Sequence, residues 1–434
     1  MVLFLKTQTE FHMQTIKIFS LITLLSGLAT GCAVNPVTGK NELSLISETQ
    51  ELAIGAQQYG PSQQSQGGIY AVDPELTKYV NEVGQKLAVV SDRKLPYEFV
   101  VLNNSAPNAW ALPGGKIAVN RGLLMQLDTE AELAAVLGHE IVHAAAKHGA
   151  NAMQRGMVLE GLLAVTALSA TNSDYANYII GSAQVGAQLI STRHGRNAEL
   201  EADYYGMQTM ARAGYDPAAA ISLQKTFVQL SQGHPSNWVD GLFASHPPSI
   251  DRVNANIRTA TELNVQGIQN SRQYMSKVAY LADMQPAYDA FDEASALAKK
   301  NEFKTANLNL NKAIQLEPAE ARFYGLKGDI LLAQKKYQAA EEAFSIALEQ
   351  DDGYYEYYLG RGLAKSKRGL VQEARDDLTR STELLPTAVA ANALGEISLN
   401  LGNRSAAKTY FRSAMAAGGP IGASAGNAYL QIDV

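Results

Sequence analysis

Leu137-Gly138-His139-Glu140-Ile141-Val142-His143 sets two imidazoles and one carboxylate at helical spacing. An α-helix turns about 100° per residue, so His139 and His143 fall about 40° apart and about 6 Å along the axis, with Glu140 on the same half of the cylinder. In that arrangement two histidines reach one Zn2+ and a glutamate reaches water beside it, the H-E-x-x-H pattern. The flanks predict the helix. From Thr129 to His148 there is no Pro and no Gly except Gly138, and Leu133, Leu137, Ile141 and Ala144 to Ala146 form an apolar stripe. Thr129 followed three residues later by Glu132 reads as a capping box. The motif is therefore expected in mid-helix, in buried surroundings.

Two histidines do not hold a catalytic zinc, which takes three protein ligands and keeps a fourth position for water. Glu199-Leu200-Glu201-Ala202-Asp203 offers the third from another helical stretch. Glu199 and Asp203 are four apart and share a face, whereas Glu201 lies about 200° round from Glu199. One carboxylate can bind metal while the other organises its surroundings, and spacing alone leaves a solvated acidic helix open as well. Downstream, His246 stands in Ser245-His246-Pro247-Pro248 with Arg252 six positions on; by itself that segment reads as a loop histidine before a Pro-Pro turn. His148 and His234 have no comparable metal spacing and read as structural or exposed.

The chain has 434 residues, enough for two or three domains, and 36 basic against 42 acidic residues give a formal charge of -6. Without a basic run, nucleic acid is not an expected partner. Residues 18–29 are apolar, preceded by Lys17 and followed by small residues, the layout of a signal peptide over 1–31, with Met1 and Met13 both open as the start. Cys32, the single cysteine, closes Leu28-Ala29-Thr30-Gly31-Cys32, which resembles a lipobox although Ala29 stands where Leu is preferred. Lipidation of Cys32 is the expectation, an unmodified thiol the alternative. Ala33 in the next position favours the outer membrane for a lipidated chain.

Along the chain, a helix is predicted from about Ser47 to Tyr59, a loop over the Gly- and Gln-rich residues 60–68, and short strands at 97–102 and 117–119 around a Pro113-Gly114-Gly115 turn. Two apolar stretches, 157–170 and 178–190, are shorter than a transmembrane span and are expected either as buried packing or as a movable cover over the cleft. From about 287 a period near 34 sets in. Ala294, Gly328, Gly362 and Gly395 are spaced 34, 34 and 33 apart, and Ala306, Ala340, Ala374 and Ala407 repeat with them. Leu310, Phe344, Leu378 and Phe411 then fill the gap that the small residues leave. That is the tetratricopeptide length, and stacked helix pairs of this kind make a superhelix with a concave face, a candidate peptide or protein dock.

Asn35-Pro36-Val37-Thr38-Gly39, Asn108-Ala109-Trp110-Ala111-Leu112-Pro113-Gly114-Gly115, the 138–143 motif and Glu199-Leu200-Glu201-Ala202-Asp203 together resemble the HtpX and CAAX-prenyl-protease group of gluzincin metallopeptidases, in its periplasmic, repeat-bearing BepA-like branch. The resemblance covers residue 35 to the C-terminus and implies a mainly α fold: a zincin-like α+β metallopeptidase domain with a small sheet over 32–270, a connecting helix over 271–286, and an all-α tetratricopeptide superhelix of about four repeats over 287–434. It implies Glu199 as the third zinc ligand and Asp203 as the acid that helps catalysis or orients a histidine. It also implies His246 as a fourth, regulatory ligand, with His246 or Arg252 as gating or transition-state groups. His194-Gly195-Arg196 departs from the Tyr-Ser-Arg of relatives. The implied chemistry is peptide hydrolysis with one Zn2+ per chain and Glu140 as general base. The edge Asn108, Ala109, Trp110 and Ala111 would align an extended substrate by strand addition. The implied setting is the bacterial periplasm, attached to the outer membrane, with unfolded or assembling envelope proteins as substrates and the assembly machinery as a partner of the repeats. The competing reading is a lipid-anchored chaperone or assembly factor whose zinc site is closed or structural.

Overall fold

The structure is a computed structural model that describes residues 32–155, 194–233 and 245–432. The expected signal peptide, the apolar stretches 157–170 and 178–190, and His234 lie outside the described residues. Asn35 makes the first turn: its Oδ1 accepts the Val37 and Thr38 amides at 2.9 and 3.2 Å, and Gly39 at φ 69° closes a hairpin of β1 (Cys32–Val34) and β2 (Asn41–Leu43). Ser47 and Gln50 form a capping box at the start of α1 (Glu48–Ser65). This helix runs on through residues 60–65 of the segment predicted as a loop, Pro61 included, and only 66–68 turn as expected. The reason is tertiary. Gln64 donates to the Gly353 carbonyl at 2.8 Å and accepts the Tyr355 amide at 2.9 Å, so the Gln-rich end is docked on the repeats rather than solvated.

α2 (Pro74–Val89), capped by Asp73, packs on a three-stranded sheet of β3 (Glu98–Leu102), β4 (Ala109–Leu112) and β5 (Lys116–Asn120). The order is β3-β5-β4, with β5 parallel to β3 and antiparallel to β4. The turn between β4 and β5 is the expected one, and Gly114 and Gly115 stand at φ 79° and 83°, a region that glycine enters without steric cost. After the single turn α3 (Arg121–Leu124) comes α4 (Glu130–Ala145), the helix of the opening motif.

All sixteen residues of α4 are buried. It lies against the sheet and α2, with α5 (Arg196–Arg212) and α6 (Ala219–Gly233) packed on it and α7 (Ile250–Leu263) behind them. Burying Leu133, Leu137 and Ile141 in this layer contributes about 1.5–3 kcal/mol each. The Thr129 hydroxyl accepts the Glu132 amide as expected, but the Glu132 carboxylate reaches one residue further back, to the Asp128 amide at 2.7 Å, and also accepts from Ser222. The helix ends earlier than predicted, because Lys147 adopts φ 59° before a second helical run over 148–155. The crossing of α4 and α5 is set by glycine: a Cβ on Gly206 would lie 3.2 Å from the Gly138 carbonyl carbon and the His139 amide nitrogen.

The predicted connecting helix is two short ones, α8 (Ser271–Lys277) and α9 (Ala279–Asp283), interrupted at Val278. Four helix pairs follow: α10 (Gln285–Lys299) with α11 (Phe303–Leu316), α12 (Ala321–Ala333) with α13 (Tyr337–Gln350), α14 (Tyr355–Lys367) with α15 (Val371–Leu384), and α16 (Ala388–Asn400) with α17 (Arg404–Met415). α18 (Gly419–Leu430) covers the last pair. The small and large columns meet as their spacing predicts. A Cβ on Gly328 would lie 2.7 Å from the Phe344 ring, one on Gly362 2.8 Å from Leu378, and one on Gly395 2.7 Å from Phe411. Among the described residues no helix is long and apolar enough to cross a membrane.

Candidate active site

The glycine crossing brings one face of α5 against the histidines of α4. His139 Nε2 lies 2.9 Å from His143 Nε2 and 3.5 Å from Glu199 Oε2, and Glu199 Oε1 lies 3.3 Å from His143 Nε2. His246, just ahead of α7, adds Nδ1 at 3.3 Å from His139 Nε2 and 3.1 Å from Glu199 Oε1. The four donors lie within 4.8 Å of one another, and all four residues are buried. Around a tetrahedral ion with ligands at about 2.0–2.1 Å, neighbouring ligand atoms stand about 3.3 Å apart, and five of the six donor pairs here are 2.9–3.5 Å apart. The charge also fits: among the described residues the carboxyl groups of Glu140, Glu199 and Asp203 face one guanidinium, that of Arg252, an excess that a divalent cation balances.

Asp203 does not point at the donors. Its Oδ1 lies 2.9 Å from His139 Nδ1, and Arg252 grips it from the other side through Nε and Nη2, both at 2.7 Å. Arg252 further donates to the Pro247 carbonyl at 3.3 Å and lies 2.9 Å from Glu199 Oε2, so the guanidinium is committed within the protein. Burial would raise the Asp203 carboxyl, but Arg252 holds it below its usual value. Burial likewise opposes ionisation of Glu199, and His246 and His139 outweigh it, keeping this carboxyl well below the ordinary range. For His139, burial pulls downward while Glu199 and Asp203 push the imidazole up to about 10. Burial and the neighbouring His194 depress His143.

Residues 74–260 match Peptidase family M48, and residues 321–353 match a tetratricopeptide repeat. The chain carries an M48 metallopeptidase domain. It is similar to the β-barrel assembly-enhancing protease of Escherichia coli strain K12, at 28% identity over 379 residues that cover 80% of this chain and 76% of that one. Similarity extends to the mitochondrial metalloendopeptidase OMA1 of Schizosaccharomyces pombe, 33% identical over 41% of this chain and 51% of that one. Metalloprotease YcaL of E. coli K12 is 26% identical over 52% of this chain and 86% of its own length.

Within the M48 domain, β4 is an outer strand of the sheet, and Ala109 lines the same small cavity as His139, Glu140 and His246. Asn108 accepts the Asn120 amide at 2.8 Å through its carbonyl, and the side chains of Ala109 and Trp110 are buried, Trp110 edge-on to Tyr59, while Ala111 is half-buried. The N-terminal turn braces the metal helix: Asn35 Nδ2 donates to the Ala146 carbonyl at 3.2 Å, and Val37 packs on Val142 and Ala202. His148, read from the sequence as structural or exposed, is half-buried outside the donor set, with Nδ1 2.8 Å from His143 Nδ1 and Nε2 3.2 Å from Glu201 Oε1. Glu201 does face away from the donors, as its helical angle requires. No spacing rule could have found His148, because it is placed by the left-handed turn at Lys147. Cys32 is the first residue of β1.

Proposed function

We propose that this metallopeptidase is a zinc-dependent endopeptidase of the bacterial envelope, which degrades misfolded or stalled outer-membrane proteins, assists their assembly, and rests with His246 in the fourth ligand position. The observation that carries the reading is the double engagement of His246. Its Nδ1 completes the tetrahedral donor set, while its Nε2 lies 3.5 Å from Glu140 Oε1. Among the described residues the cavity beside Glu140 measures about 30 Å3, room for about two waters and not for a peptide. Both observations support a site that is assembled and held shut.

Zinc, when bound, supplies a Lewis acid that activates water near neutral pH and polarises a carbonyl. His139, His143 and Glu199 hold it. Withdrawal of His246 would leave Glu140 Oε1 free to take the proton of the attacking water and deliver it to the leaving nitrogen. Asp203 fixes His139 with Nδ1 protonated, leaving Nε2 as donor, and Arg252 fixes Asp203 and the Pro247 carbonyl next to His246. The outer side of β4, from Asn108 to Ala111, aligns an extended chain by strand addition.

The similarity to the β-barrel assembly-enhancing protease and the signal-like segment ending at Cys32 support the envelope setting, with Cys32 lipidated and the chain on the outer membrane. The division proposed is peptidase over 32–270, connection over 271–286 and repeats over 287–434, the repeats docking envelope partners. A second reading, an assembly factor with a permanently closed site, is favoured by the same His246 contact. Cleavage of a denatured outer-membrane β-barrel protein by the zinc-loaded full chain decides. Glu140→Gln is expected to retain zinc and lose about 10²- to 10⁴-fold in kcat. Equal cleavage by wild type and Glu140→Gln would overturn the peptidase reading, and capture of the substrate without cleavage by any variant would establish the assembly factor.

A further inference from the structure

We infer that His148 and Glu201 are positioning residues that orient the His143 ligand, a relay of a second imidazole and a carboxylate behind the metal helix. The inference rests on the reading of His139, His143 and Glu199 as zinc ligands. His143 directs Nε2 toward the other donors, at 2.9 Å from His139 Nε2 and 3.3 Å from Glu199 Oε1. A neutral imidazole with its Nε2 lone pair on the metal carries its proton on Nδ1. That Nδ1 lies 2.8 Å from His148 Nδ1, and a hydrogen bond between two ring nitrogens needs one donor and one acceptor. His148 Nδ1 therefore accepts, the His148 proton is on Nε2, and it is donated to Glu201 Oε1 at 3.2 Å. The direction of every proton follows from the first.

The other ligand shows the same logic in shorter form, since His139 Nδ1 meets Asp203 directly at 2.9 Å. The two imidazoles of α4 thus both end on a carboxylate of α5, His139 directly and His143 through His148. The backbone is shaped for this. On an unbroken helix a residue five places on would point about 140° away from His143. Lys147 at φ 59° turns the chain so that His148 faces back, and the Lys147 ammonium is anchored 3.7 Å from Glu51. Lys40, 3.9 Å from the second oxygen of Glu201, marks the solvent end of the relay. Histidine and carboxylate partners behind a ligand hold its ring plane and tautomer and strengthen its donor nitrogen, and losing one costs about 10- to 100-fold in metal affinity.

The test is zinc affinity of the full chain by chelator competition, alongside the melting temperature of the metal-free protein. His148→Leu removes the acceptor and is expected to weaken zinc about 10- to 100-fold. His148→Asn places an amide oxygen near the lost Nδ1 and is expected to recover most of that affinity. Adding Glu201→Ala to His148→Leu is expected to cost nothing further, because Glu201 acts only through His148. Wild-type affinity in His148→Leu overturns the relay, and so does a loss in His148→Asn as large as in His148→Leu. If His148→Leu does not fold, Glu201→Ala alone decides: weakened zinc at an unchanged metal-free melting temperature supports the relay, and wild-type affinity overturns it. A wild-type chain that takes up no zinc sinks the zinc reading itself.

Discussion

On the proposed reading His246 closes the site with both of its nitrogens, and its removal then has a definite sign. If the histidine is seated about 99% of the time, the closed state is favoured by about 2.7 kcal/mol, and its loss raises turnover up to about 100-fold. His246→Ala is therefore expected to cleave unfolded substrate faster than wild type while keeping zinc on His139, His143 and Glu199; slower or unchanged cleavage would contradict the gate. At this scale the sequence was most readable where chemistry is local: two histidines and a glutamate four residues apart can be placed by helical angle alone. Glu199 and Asp203 could be set on one face but not told apart without the resemblance. The structure separates them by what they touch, Glu199 the donors and Asp203 the Nδ1 of His139. Arg252, expected near the chemistry as a gating or transition-state group, lies there as the clamp on Asp203.

The helices put these residues within reach, and α4 is held by its first residue. Glu130 is fully buried and accepts from Tyr215 at 2.8 Å, Tyr79 at 2.9 Å and Asn270 at 3.0 Å. Burial alone would raise its carboxyl, but the hydrogen bonds from Asn270, Tyr215 and Tyr79 outweigh burial and hold it below the usual 4.5. A depressed native value means that its stabilisation is present above the unfolded value and lost as pH falls through the folded one. Wild type is accordingly expected to be more stable than Glu130→Gln at pH 7, with the gap in melting temperature closing as pH drops below about 4.5. A gap that does not change with pH would refute this. Element boundaries were less legible than element types. α1 overran its predicted end because Gln64 finds partners in the repeats, and α4 stopped short because Lys147 goes left-handed. The repeat helices were read well, since each column of small and large residues is satisfied by its neighbour in sequence.

In the whole molecule the repeats are welded to the peptidase half through buried polar groups. Glu320 accepts from Asn103 Nδ2 at 3.0 Å, from Tyr288 Oη at 2.9 Å and from the Arg322 amide at 3.0 Å, while Arg322 reaches the Gly67 carbonyl at 2.8 Å. Arg121, fully buried, stacks 3.4 Å from the Tyr288 ring centroid and donates to Asn103 Oδ1 at 2.8 Å. Removing the carboxylate takes the acceptor from the buried Asn103 and Tyr288 donors, so Glu320→Ala is expected to cost about 1–3 kcal/mol in urea unfolding and to split one transition into two. A single unshifted transition would show that the halves do not depend on the joint. None of this was legible in the chain, because Asn103 and Glu320 are 217 residues apart and neither belongs to a pattern. At the scale of the whole molecule the proposal is a peptidase assembled in its closed state. The most direct measurement is an anomalous difference map at the zinc edge from crystals of the zinc-loaded full chain. The account predicts one peak bound by His139 Nε2, His143 Nε2, Glu199 and His246 Nδ1. A peak elsewhere, or one that His246 does not touch while water fills the fourth position, would contradict it.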